Sequence, residues 1–111
     1  LAGRGVGVED ASGFLEPRLR DLLPDPHVLA DMEAAALRLA DAVAKGETVA
    51  IFGDYDVDGA CGAALLAGYL RAAGLRCLIH IPDRITEGYG PNAEAICALA
   101  QQGATLLVTV D

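Results

Sequence analysis

Thr48-Val49-Ala50-Ile51-Phe52-Gly53-Asp54-Tyr55-Asp56-Val57-Asp58-Gly59 is the stretch whose reading decides the fold. Thr48 to Phe52 is a short apolar run bounded by turn signals. Such a run reads as a strand buried on both faces, as in a parallel sheet. Three carboxylates then alternate across five residues. Gly59 to Ala73, rich in Ala and Leu, predicts a helix stopped by Gly74. Further out, Arg76 to Ile81 reads as a second strand and Pro82 to Gly90 as a polar loop. Pro91 to Gln102 reads as a helix with proline near its first turn and Gly103 behind it. Thr105 to Val110 is a third strand, ending on Asp111. On the other side, Asp25-Pro26 announces a helix over His27 to Lys45. Its apolar stripe is Leu29, Met32, Ala36, Leu39 and Val43, and Gly46 stops it. Residues 1–26 read as an irregular segment with one helical turn around Leu19 to Leu23. The alternation of strands and helices predicts an α/β fold, a three-layer αβα arrangement around a parallel sheet with right-handed crossovers.

Composition narrows the function. At 111 residues the chain suits one domain or a piece of one, and 53% hydrophobic residues suffice for a core. The chain ends at the carboxyl end of a strand, so we expect a fragment of a longer enzyme. A net charge of −8 argues against a simple nucleic-acid-binding module, which carries a basic face for phosphates. No run approaches the roughly 18 apolar residues of a membrane span. The first residues lack the basic start and apolar middle of a signal peptide. We therefore expect a cytoplasmic protein that does not engage membranes. Cys61, Cys77 and Cys97 are widely spaced, without a CxxC pair, which disfavours zinc or disulfides. They read as packing residues, and His27 and His80 as structural or surface residues.

The acidic loop carries the chemistry. In open parallel sheets, ligands bind beyond the carboxyl ends of strands. Carboxylates gathered there repel one another, and a divalent cation removes that cost. Hard oxygen donors suit Mg²⁺ or Mn²⁺. Asp54 and Asp56, two apart in an extended stretch, point the same way and can converge on one metal. Asp58 precedes the expected helix, and helix capping is preferred for it over metal ligation. Asp111 joins Asp54 and Asp56 if the third strand lies beside the first, and could then bridge two metals. Otherwise it merely begins a turn. The strand pattern leaves both open. An EF-hand reading of Asp54-x-Asp56-x-Asp58-Gly59 fails because Leu65 stands where the bidentate Glu belongs. A phosphatase with an aspartyl nucleophile is less favoured, because Asp58 occupies a position where such enzymes have a hydroxyl residue.

The run Ile51 to Gly59 resembles the first motif of the DHH phosphoesterases, in the form carried by RecJ-type exonucleases. Ile81-Pro82-Asp83-Arg84 with Glu87-Gly88-Tyr89-Gly90 is similar to the family's loop after the second strand. Gly103 with Leu107-Val108-Thr109-Val110-Asp111 resembles its second motif. Asp31-Met32-Glu33, Phe14-Leu15-Glu16-Pro17 and Leu22-Leu23-Pro24-Asp25-Pro26 extend the likeness upstream. The resemblance makes residues 27–111 the first part of a DHH phosphoesterase domain, truncated at the second motif. It implies that Asp54, Asp56 and Asp111 are catalytic and hold two ions of Mn²⁺ or Mg²⁺. It also implies hydrolysis of single-stranded DNA from the 5′ end by metal-activated water, in DNA repair and recombination; the alternatives are an oligonucleotide or nucleotide phosphatase of the same family, or a non-catalytic metal- or protein-binding module. Phe52 stands where some members have a histidine ligand. The DHH triplet and the second domain are absent, so residues 1–111 alone should be inactive. In the loop, Arg84 could pair with a backbone phosphate and Tyr89 could stack on a base. Their plainer readings are an ion pair of Arg84 with Glu87 or another acid, and a structural loop residue.

Overall fold

Thr48–Gly53 forms β1, the middle strand of a three-stranded parallel sheet ordered β2-β1-β3, with β2 at Arg76–His80 and β3 at Leu106–Val110. This computed structural model describes residues 1–111 and separates them into two units, Leu1–Ala34 and Ala35–Asp111. β1 is buried from Val49 onward because neighbours flank it on both edges and helices cover both faces. Its side chains alternate between those faces. Val49 and Ile51 pack with α3 (Met32–Lys45) and α4 (Val57–Ala72), through Leu39, Ala42, Ala63, Ala67 and Leu70. Ala50 and Phe52 pack with α5 (Ala93–Gln101), through Ala95 and Leu99. The expected three-layer αβα order is therefore present.

Register sets the geometry of the upper rim. Gly53 pairs with Val110, so the residues that follow, Asp54 and Asp111, emerge side by side. Close packing of α4 fixes that rim further. A Cβ on Gly59 would lie 2.5 Å from the Asp54 backbone nitrogen, and one on Gly62 would strike Val110. Only glycine lets the first turn of α4 approach the end of β1 this closely. At the opposite rim, Arg38 clamps Glu47 with two hydrogen bonds of 3.0 and 2.9 Å, and the Thr105 hydroxyl donates to the same carboxylate at 2.7 Å. These bonds tie α3 to the starts of β1 and β3.

Boundaries differ from the sequence reading for identifiable reasons. The helix expected from His27 begins at Met32. Pro26–Val28 instead forms a 3-10 turn capped by Asp25, and Asp31 adopts φ 56°, which no right-handed helix can traverse. Pro91 precedes its helix rather than opening it, because Asn92 caps Ala95 at 2.8 Å. Within residues 1–26 there are a 3-10 turn at Ala2–Arg4 and two short helices, α1 (Ala11–Leu15) and α2 (Leu19–Leu22), none with a buried residue. No helix is long and apolar enough to cross a membrane.

Candidate metal centre

The turn between β1 and α4 places the acidic residues. Asp54 leaves the strand at 7% exposure, with one oxygen accepting from the Tyr55 amide at 2.7 Å. Asp56 is the N-cap of α4 and accepts from the Gly59 amide at 3.0 Å. Each carboxylate is thus oriented by a backbone donor through one oxygen. Asp111 comes up from the neighbouring strand. One carboxylate oxygen from each of Asp54, Asp56 and Asp111 lies within 4.8 Å of the others. Trans oxygens around a small divalent ion are about 4.2 Å apart at metal–oxygen distances near 2.1 Å. The spread of up to 4.8 Å exceeds that span only slightly. The donors are all oxygen, which suits a hard divalent cation.

Crowding shows in the electrostatics. Asp111 holds its proton more tightly than an ordinary aspartate. Repulsion from Asp56 is the main cause, followed by desolvation, a hydrogen bond to Asp56, and repulsion from Asp58 and Asp54. A cation among these groups would reverse that repulsion.

The structure corrects the assignment of the cap. α4 starts two residues earlier than expected, and Asp56 rather than Asp58 caps it. Asp58 sits exposed in the first turn, where its charge favours the helix dipole and adds to the local field. Asp56 therefore combines capping with membership of the carboxylate set. Phe52, 2% exposed, packs in the core and meets the His80 ring at 5.0 Å.

The loop after β2 leans over the acidic turn. The Arg84 guanidinium lies 5.1 Å from the centre of the Tyr55 ring, and Tyr89 meets the same ring edge-on at 6.3 Å. Arg84 makes no ion pair with Glu87. That carboxylate instead accepts from the Asp83 amide at 2.9 Å and contacts His80 Nε2 at 2.8 Å and Asn92 Nδ2 at 3.3 Å. The Asp83 amide, then His80 and Asn92, hold Glu87 below the usual carboxylate range, against a smaller opposing effect of desolvation. Sequence reasoning missed Tyr55 as the ring that joins the two loops. Its position between Asp54 and Asp56 was the available signal. A narrow cleft lined by Phe52, Asp54, Tyr89, Pro91, Thr109 and Asp111 runs between them. A larger concavity of about 750 Å³ lies within the Leu1–Ala34 unit, lined by Gly5, Phe14, Pro17 and Leu22 among others. It holds no metal-ligating cluster, so chemistry rather than size identifies the candidate site.

Comparison with known proteins gives a consistent result. Residues 48–111 match the model of the DHH family, N-terminal domain. The chain is similar to the single-stranded-DNA-specific exonuclease RecJ of Bacillus subtilis, 36% identical over 112 residues, with 100% of this chain and 14% of that protein covered. It is similar to the protein of the same name from Thermus thermophilus, 37% identical over 117 residues, covering 100% and 17% respectively. The Dickeya dadantii counterpart is 40% identical over 98 residues, covering 87% and 17%. Among solved structures, a crystal structure of exonuclease RecJ bound to manganese superposes with a TM-score of 0.63 at 40% identity, over 71% of this chain and 20% of that one. The chain thus spans less than a fifth of the length of these curated relatives.

Proposed function

We propose, because the chain belongs to the DHH family, that the complete protein is a metal-dependent exonuclease that degrades single-stranded DNA from the 5′ end. One observation carries the reading: three carboxylates from two adjacent strand ends converge within 4.8 Å on the rim where a parallel sheet binds its ligands. Asp54, Asp56 and Asp111 would hold Mn²⁺ or Mg²⁺, with further ligands supplied by the rest of the protein. When bound, such ions stabilise phosphoryl charge and make water a nucleophile near neutral pH. The chain's own residues orient that chemistry. The Tyr55 and Gly59 amides fix the Asp54 and Asp56 carboxylates, and the tight Gly59 contact holds both to the end of β1. Arg84, beside the Tyr55 ring, would meet a backbone phosphate, and the exposed Tyr89 ring would stack on a base. We assign the protein to DNA repair and recombination in the cytoplasm.

The test uses the complete protein with 5′-labelled and 3′-labelled single-stranded DNA and Mn²⁺. Wild type should release 5′ mononucleotides first. Asp54→Ala should stop release with the fold intact by circular dichroism. Undiminished turnover in Asp54→Ala would remove Asp54 from the reaction.

A further inference from the structure

The structure assigns Glu87 as a positioning residue for substrate, a clamp that holds the loop bearing Arg84 and Tyr89 against the acidic turn. This rests on the exonuclease reading above and extends it to a residue outside the carboxylate set and the two tyrosine rings.

The loop is built in two parts. Asp83 starts a tight turn, with its side chain accepting from the Ile85 and Thr86 amides at 2.8 and 3.0 Å and its carbonyl accepting from the Glu87 amide at 2.8 Å. Glu87 reaches back to the Asp83 amide at 2.9 Å, so the turn is closed from both ends, in the manner of a capping box. By itself this turn would be free to swing. Gly88 and Gly90, both at φ 82°, flank Tyr89 with left-handed backbone and offer no Cβ contact to restrain it. Beyond the buried Pro82, Ile85 is 94% exposed and Tyr89 73%, so burial holds little of the loop's tip.

What holds it is the second oxygen of Glu87. It contacts His80, the last residue of β2, and accepts from Asn92, the cap of α5. Both partners are themselves fixed: the His80 ring lies against Phe52, and Asn92 caps α5 through Ala95. One carboxylate therefore pins an exposed turn to a strand end and a helix start. Charge-assisted bonds of this kind are the strong ones. The consequence reaches the acidic turn through Arg84 and Tyr89, which meet Tyr55 between Asp54 and Asp56. Without the clamp, these two side chains keep their chemistry and lose their place. Substrate would then have to order them as it binds, which weakens binding.

The experiment is a double-mutant cycle in the complete protein, read as KM and kcat on single-stranded DNA and as Mn²⁺ affinity by calorimetry. Tyr89→Ala and Glu87→Ala should each raise KM about tenfold, equivalent to 1.4 kcal/mol. Both should leave kcat and Mn²⁺ affinity within about twofold. The double variant should be no worse than Glu87→Ala alone, because loss of the clamp already displaces the Tyr89 ring along with Arg84. Glu87→Gln, which keeps an acceptor for the Asp83 amide and loses the charge, should be intermediate. If Glu87→Ala does not fold, Glu87→Gln and its cycle with Tyr89→Ala decide the matter. A wild-type KM in the folded Glu87 variant, or additive effects in the cycle, overturns the clamp while leaving the exonuclease reading intact. A wild-type protein inert on single-stranded DNA with Mn²⁺ defeats that reading itself.

Discussion

Replacing Gly59 with alanine should disable the proposed metal centre without touching a proposed ligand. The added Cβ would lie 2.5 Å from the Asp54 nitrogen and 2.7 Å from its Cα and Cβ, whereas ordinary contact begins near 3.4 Å. The first turn of α4 and the end of β1 must therefore separate by about 0.9 Å. Functional constellations tolerate roughly 0.5 Å. The obstacle is backbone and the root of a buried side chain, so it cannot rotate away. Overpacking costs about 1–3 kcal/mol, and the better helix propensity of alanine returns up to about 1 kcal/mol. A net local loss of about 1–2 kcal/mol should appear as faster hydrogen exchange of β1 amides in the complete protein. Mn²⁺ affinity by calorimetry should fall about 10–100-fold, the usual loss when the support of a ligand is disturbed. Gly68→Ala is the control. Gly68 lies on the exposed face of the same helix, and an added methyl there would meet nothing within 4 Å. That variant should gain up to about 1 kcal/mol with unchanged affinity. Equal Mn²⁺ affinity in both variants would refute the reasoning, since the close approach of α4 would then not govern the carboxylates.

Three further outcomes are expected. Mn²⁺ at about 100 times its Kd should stabilise the protein by about 2.7 kcal/mol, seen as a melting shift that EDTA reverses; Asp54→Asn should abolish the shift. Glu47, 15% exposed at its side chain, is held below the usual carboxylate range, first by its hydrogen bonds from Arg38 and then from Thr105. A depressed carboxylate contributes stability that is present above its unfolded value near pH 4.3 and fades as pH falls through its lower folded value. The melting temperature should therefore drop below about pH 4.3, and Glu47→Gln should melt lower at pH 7 with a flatter acid limb. Leu70, fully buried between α4 and the sheet, should cost about 2–5 kcal/mol as Leu70→Ala, measured as lost protection of β1 amides.

The order of elements was legible along the chain, because hydrophobic pattern and stop signals are local properties. Val49 to Phe52 announced a doubly buried strand, and Gly46, Gly74 and Gly103 marked the turns that follow three helices. The identity of Asp54 and Asp56 as a pair was also local. Helix starts were not, since they depend on which side chain wins an amide. Asp56 took the cap expected of Asp58, and a left-handed Asp31 cut short the helix expected from His27.

The sequence by itself determined the layers, the acidic turn and the donor chemistry, because each follows from residues within a few positions of one another. Tertiary structure alone decided whether Asp111, 55 or more residues away along the chain from its partners, would stand beside them. Strand register did this, by pairing Gly53 with Val110. It also decided the partners of Glu87 and the meeting of Arg84, Tyr55 and Tyr89. Those contacts join separate loops, and no periodicity in a chain encodes which loops will face each other once the sheet is closed.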